Sequence, residues 1–246
     1  MCTQVRSYTV EQKKKTVCFQ NQPVLSVNLK YPCFAPYSEC MREKHFTESV
    51  NRFYAGSAER CLARASGSYA RKAAALCRKN GGVPAALVMN CQVPFAGENY
   101  LSVFADLSVF DGKRVRTKRF SQFWSAQKNA LLPVSYVYHT GARQAKYVKS
   151  LICEIAEKNA RRKDFTYYDN YMSIINRKFD FAASYFVPNG AAFYFDGGVL
   201  NARMREVCVF VIPFEQIDGV LKIAPGLGEC RYSPDKGAKD GNNIGK

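Results

Sequence analysis

The chain's 246 residues suffice for one large domain or two small ones, and a hydrophobic fraction of 47% with 15 Tyr and 17 Phe supplies ample core material. The 36 Lys and Arg outnumber the 20 Asp and Glu, and a net charge of +16 favours an anionic partner, whether nucleic acid, acidic protein or membrane surface. No run approaches the ~18 apolar residues of a membrane-spanning helix, and the opening Met-Cys-Thr-Gln-Val-Arg lacks the apolar stretch of a signal peptide.

Cysteine usage adds to these exclusions. The ten Cys contain no Cys-x-x-Cys pair, and only His45 and His139 are present, so neither a zinc site nor any other metal or cofactor is expected. Cys91 and Cys208 fall inside apolar strand patterns, where a free thiol behaves as a small hydrophobe. Scattered reduced Cys fits a cytoplasmic location.

In chain order, residues 3–31 read as a β meander. A charged turn at Lys13-Lys14-Lys15 precedes Thr16–Phe19, and a strand from Pro23 ends at Tyr31-Pro32. One long helix is predicted from an N-cap at Ser38 to Lys79, with the apolar stripe Phe46, Val50, Phe53, Ala58, Cys61, Ala65, Tyr69, Ala73, Leu76. Gly67 is a candidate kink, and Gly81-Gly82 ends the helix.

A hairpin follows. Leu87, Met89, Cys91, Val93 and Phe95 alternate with Ala86, Val88, Asn90 and Gln92. After a loop at 96–99, Leu101, Val103, Ala105, Leu107 and Val109 alternate with Ser102, Asp106 and Ser108. Tyr100, Phe104 and Phe110 share that second face and call for a further layer. Residues 110–113 turn into a strand over Val115–Ala126, and Leu131-Leu132-Pro133 reads as a connector. A second helix is predicted over Ala142–Arg162 and a short third over Asp169–Lys178, with Tyr171, Met172, Ile174 and Ile175 packing.

The stretch from Ser184 to Ile217 closes the fold as three strands, with the turn Val187-Pro188-Asn189-Gly190, whose Gly accepts positive φ. The strand Val207–Phe214 is apolar on both faces and is expected at the covered centre of the sheet. The order of elements indicates an α+β fold: a largely antiparallel sheet with the long N-terminal helix and a second helix packed on it. One domain over 1–222, divisible into 1–84 and 85–222, precedes a flexible tail over 223–246.

This arrangement resembles the extracellular domain of RsiV, the lysozyme-binding anti-sigma factor, and the related domain of unknown function that accompanies the bacterial peptidoglycan deacetylase PdaC. The resemblance covers roughly residues 20–222. It rests on Tyr31-Pro32, Asp169-Asn170-Tyr171, Phe179, the run Tyr185–Gly190, Ala192-Phe193-Tyr194-Phe195, and Phe210-Val211-Ile212-Pro213-Phe214. The chain departs from the family in two places. Residues 110–114 lack the family's histidine, and the loop from Asp196 to Arg205 replaces an aromatic, proline-rich one. No metal-binding His pair of a polysaccharide deacetylase occurs.

The resemblance implies a non-catalytic binding or sensor-like domain that recognises a protein or another ligand. Its contact is then the variable loop 197–206, with Leu200, Arg203 and Arg205 as ligand-binding residues. An alternative is anion or nucleic-acid binding through Lys113, Arg114, Arg116, Lys118 and Arg119, near the aromatics Phe120, Phe123 and Trp124. An enzyme of unknown class is a third reading. It is disfavoured because neither His45 nor His139 has an identifiable partner, and no nucleophile elbow, phosphate loop or dinucleotide fingerprint occurs.

Overall fold

Gln20 and Asn21, with φ of 51° and 63°, turn the chain between its first two strands. Two-residue hairpin loops of this kind need positive φ at both corners. The computed structural model describes residues 6–36, 38–162, 165–203 and 205–223. Strand β1 (Tyr8–Phe19) pairs antiparallel with β2 (Gln22–Phe34) from end to end. Lys13, Lys14 and Lys15 thus lie inside β1, not in a turn. β1 is an edge strand, and its charges discourage pairing with another chain. Nor does Pro32 end β2. Beyond Lys30 that strand has β1 as its single neighbour in the sheet, and such a one-sided stretch tolerates proline.

The predicted single helix is two, α1 (Met41–Ser66) and α2 (Ser68–Lys79), separated by Gly67 at φ −98° and ψ −101°. The break changes the phase of the apolar stripe. Phe46, Val50, Ala58 and Ala65 are buried as the stripe predicts, whereas beyond Gly67 the buried set becomes Ala70, Ala73, Ala74 and Cys77. Tyr69 and Leu76, predicted to face inward, are exposed. The N-cap is Cys40 in place of Ser38, and Gly81 and Gly82 end α2 at φ 69° and 87°.

After α2, β3 (Ala85–Ala96) pairs in parallel with β2, so α1 and α2 form a crossover lying on one face of the sheet. β4 (Tyr100–Phe110) and β5 (Val115–Ser125) continue antiparallel, and β6 (Ala130–Leu132) adds a short strand where a connector was expected. The six strands lie in sequence order. Under the helices, Trp124 packs edge-on against Phe46 and Phe53. The segment before β1 is tied down by buried Arg6. Its guanidinium forms two bonds to Glu43 of α1, at 2.8 and 2.9 Å, and donates to the carbonyls of Gly97 and Glu98.

Val207–Phe214 does not lie at the centre of one sheet. β7 (Ser184–Val187), β8 (Gly190–Phe195) and β9 (Cys208–Pro213) form a second, three-stranded antiparallel sheet with β8 in the middle. All six residues of β8 are buried. β9 is an edge: Cys208, Phe210 and Ile212 are buried, while Val211 is 38% exposed. The short α3 (Val134–Val137) leads to α4 (Ala142–Arg161), and α5 (Tyr171–Lys178) follows. Val148, Ile152 and Ala156 of α4 and Ile174 and Ile175 of α5 share a core with Ala191, Phe193 and Phe210. Met172 is exposed instead of packed. After β9 the chain forms α6 (Phe214–Ile217). The tail predicted over 223–246 lies, from residue 224 on, outside the described residues.

The small sheet stands on the face of the large sheet opposite α1 and α2. Phe186 packs on Phe95 and Phe123, and its N–H donates to the buried Ser102 hydroxyl at 3.0 Å. This is the further layer that Phe104 calls for: Phe104 is buried against Tyr185 of β7. The fold is α+β with a largely antiparallel main sheet and a long first helix.

Candidate functional site

The small sheet covers only one end of that face. At the other end β2 to β5 form the floor of a polar groove of ≈ 380 Å³, lined by Asn28, Lys30, Val88, Asn90, Asp106, Ser108 and Thr117, with Arg205 from the β8–β9 loop at its side. Strand register builds this floor in two rows. Asn28, Val88, Ser108 and Thr117 are successive partners across the four strands, and so are Lys30, Asn90, Asp106 and Arg119. Alternation within each strand sends the polar residues to this face and Leu29, Met89 and Leu107 to the other.

The groove's one carboxylate is neutralised. Both Asp106 oxygens accept bonds from Arg119, from Nε and Nη2, each at 2.7 Å. The Arg119 guanidinium lies 3.8 Å from the Phe104 ring centre, and its Nη1 donates to the Tyr185 hydroxyl at 3.0 Å. Burial pushes the Tyr185 phenol up and the Tyr194 phenol up to about 12, so neither adds negative charge at neutral pH. Lys30 and Arg205 form no ion pair with any described residue. The groove is therefore cationic, with amide and hydroxyl groups between its charges.

The loop over this groove is held by the edge of β5. Gly197 N–H donates to the Thr117 carbonyl at 3.2 Å, and Arg119 N–H donates to Asp196 Oδ1 at 2.9 Å. These bonds also occupy an otherwise open strand edge.

The predicted ligand residues of this loop separate. Arg205 reaches the groove. Arg203 turns to Glu206, with 3.3 Å to each carboxylate oxygen. Leu200 is fully buried, and its carbonyl accepts the Tyr168 N–H, so it is a core residue and touches no ligand. The loop is polar on average, but this leucine folds under it into the core shared with α4.

The basic run separates as well. Arg116 and Lys118 pair with Val109 and Leu107 and face the helix side, whereas Arg119 is on the groove side, locked to Asp106. Arg119 therefore belongs to no continuous anion-binding row with them. Lys113 and Arg114 sit in the β4–β5 turn, where their N–H groups donate to Asp111 Oδ1 at 2.9 Å. Phe123 and Trp124 are buried, and Phe120 is exposed. His45 and His139 are exposed, and neither imidazole forms a hydrogen bond or ion pair with a described residue. Among the described residues no cluster of His, Cys, Asp or Glu is placed to hold a metal ion, and no helix is long and apolar enough to cross a membrane.

No protein-family model matches the chain, and no curated protein does. Solved structures do, and two of them match it along nearly its whole length. One is a DUF3298 family member from Bacteroides fragilis, 14% identical, with a TM-score of 0.63 over 92% of this chain and 98% of that one. The other is a DUF3298 family protein from Pseudomonas aeruginosa, 13% identical, with a TM-score of 0.56 over 92% of this chain and 97% of that one. The chain has the fold of these DUF3298 proteins. At such identity the likeness carries the architecture alone. Groove and loop chemistry in this DUF3298-like fold rests on the residues named above.

Proposed function

We propose that the chain is a non-catalytic binding module, sensor-like in the manner of the RsiV domain it resembles, which takes an anionic group of a protein or other ligand in the groove beneath loop 197–206. One observation carries this reading: among the described residues Lys30 and Arg205 have no ion-pair partner, and the one carboxylate lining their groove is held by Arg119. Asn28, Asn90 and Ser108 add neutral hydrogen-bonding groups between them. The volume of ≈ 380 Å³ falls within the ~300–1,000 Å³ usual for small-ligand sites, enough for one side chain or one sugar-sized unit.

The test is an NMR titration with triglutamate and with pyrophosphate. Backbone amides of Asn28, Asn90 and Ser108 should shift together and saturate at millimolar probe. A charge-assisted hydrogen bond contributes about 1.5–3 kcal/mol, so Arg205→Ala and Lys30→Ala should each weaken binding by about tenfold or more. Arg203→Ala should change it less than about twofold, because Glu206 already occupies that guanidinium. Shifts that spread over all basic surfaces without saturating, or that survive Arg205→Ala unchanged, would refute the assignment.

A further inference from the structure

The opposite face of the large sheet carries a second, independent feature. Helices α1 and α2 lie over β1, β2 and β3 and leave much of β4 and β5 bare. Two rows cross the uncovered part in register, Leu87–Val109–Arg116 and Met89–Leu107–Lys118, and at its far end stands Phe120, whose row partners Ala105 and Cys91 are already buried. Val109 is 41% exposed and Phe120 48%, and Leu107, Met89 and Leu87 are half-buried beside them. At one end of the strip Asn80, which follows α2, donates to the Asp111 carbonyl at 2.5 Å, so the helix layer reaches the β4–β5 turn and stands beside the strip as a wall.

We propose that this shelf docks an acidic amphipathic helix of a partner protein, in the place a third helix of the same layer would take. Width fits: two strands at ~4.8 Å spacing span about 10 Å, the diameter of a helix with its side chains. Charge fits too. Arg116 and Lys118 line the outer side without an ion pair to any described residue, and no Asp or Glu occurs between Gly112 and Cys153. A second copy of the chain is disfavoured, because it would bring a further +16 against these cations. A flat bilayer is disfavoured because the strip is recessed beside the helices.

The experiment uses a fluorescent helical peptide with a leucine stripe and glutamate elsewhere, its lysine counterpart, and phosphatidylglycerol vesicles. The glutamate peptide should bind at low salt and the lysine peptide should not. Phe120→Asp, and separately Arg116→Glu with Lys118→Glu, should weaken binding about tenfold or more, with the folded state checked by melting temperature. Lys14→Glu with Lys15→Glu on β1 should leave it unchanged. Absence of glutamate-peptide binding, or equal binding by the charge-reversed variant, would overturn the proposal. Vesicle binding that depends on Phe120 would also overturn it and would assign the shelf to a membrane. None of these residues lines the groove, so the two sites succeed or fail separately.

Discussion

Replacing Arg119 with Ala is expected to lower stability by about 3 kcal/mol and the melting temperature by about 6–12 °C. The side chain of Arg119 is 10% exposed and that of Asp106 24%. Truncation leaves the Asp106 carboxylate without its partner at the foot of the small sheet, and it removes the stacking on Phe104. Partial exposure of Asp106 lets water compensate in part, which keeps the loss at the low end for a broken buried pair. Arg119→Lys should not rescue it fully, because an ammonium cannot form the two-pronged bond to Asp106 and reach Tyr185 as well. A double variant with Asp106→Ala should recover part of the stability. Arg119→Ala alone should also weaken anion binding in the groove, because the unneutralised Asp106 carboxylate then faces the ligand. Chemical denaturation reads the first effect and the pyrophosphate titration the second. A loss below about 1 kcal/mol would remove Arg119 from its assigned role.

Gly190→Ala is expected to cost about 3–4 kcal/mol, and the mechanism is steric. A Cβ at that position would overlap the Ile212 carbonyl oxygen, and it would lie 2.9 Å from the Ile212 carbonyl carbon and 3.1 Å from the Pro213 Cα. All three atoms are backbone, so relief requires β8 and β9 to part. The turn at 188–190 suggests a different reason for this glycine, namely positive φ, but Gly190 is not among the glycines with positive φ. Its role is close approach between strands. Gly219→Ala is the control: apart from its chain neighbours, no atom of a described residue lies within 4 Å of its added Cβ, and the change should stay within about 0.5 kcal/mol. Equal denaturation midpoints for the two variants would contradict the steric account.

Periodicity made most elements legible. The alternation over 86–109 placed β3 and β4 with their correct faces except at Phe95, which a bulge after Gln92 turns from the helix side to the small sheet and Phe186, and the demand of Phe104 for a further layer is met by Tyr185. Alternation reports a face within one strand, whereas the groove depends on which residues of four strands stand side by side. That register is set by pairings distant in sequence, such as Lys30 with Asn90, and Asn28 and Lys30 carry no local mark of it. The basic run shows the same limit. Arg119 is equivalent to its neighbours until Asp106 arrives opposite it from the neighbouring strand. Leu200 misled for a composition reason, since one apolar residue in a polar loop gives no period. Gly67 was visible as a breaker, but the rotation it imposes on α2 follows from its dihedral angles and not from residue type.

The parallel pairing of β2 with β3 has a kinetic consequence. β1 with β2, and β3 with β4 and β5, join through short turns and can form locally. Linking the two halves requires residues 35–84 to close a long loop first, and such closure is an entropic barrier before any contact rewards it. Refolding should thus pass through two preformed sheet halves, with α1 and α2 as the clasp whose docking sets the rate.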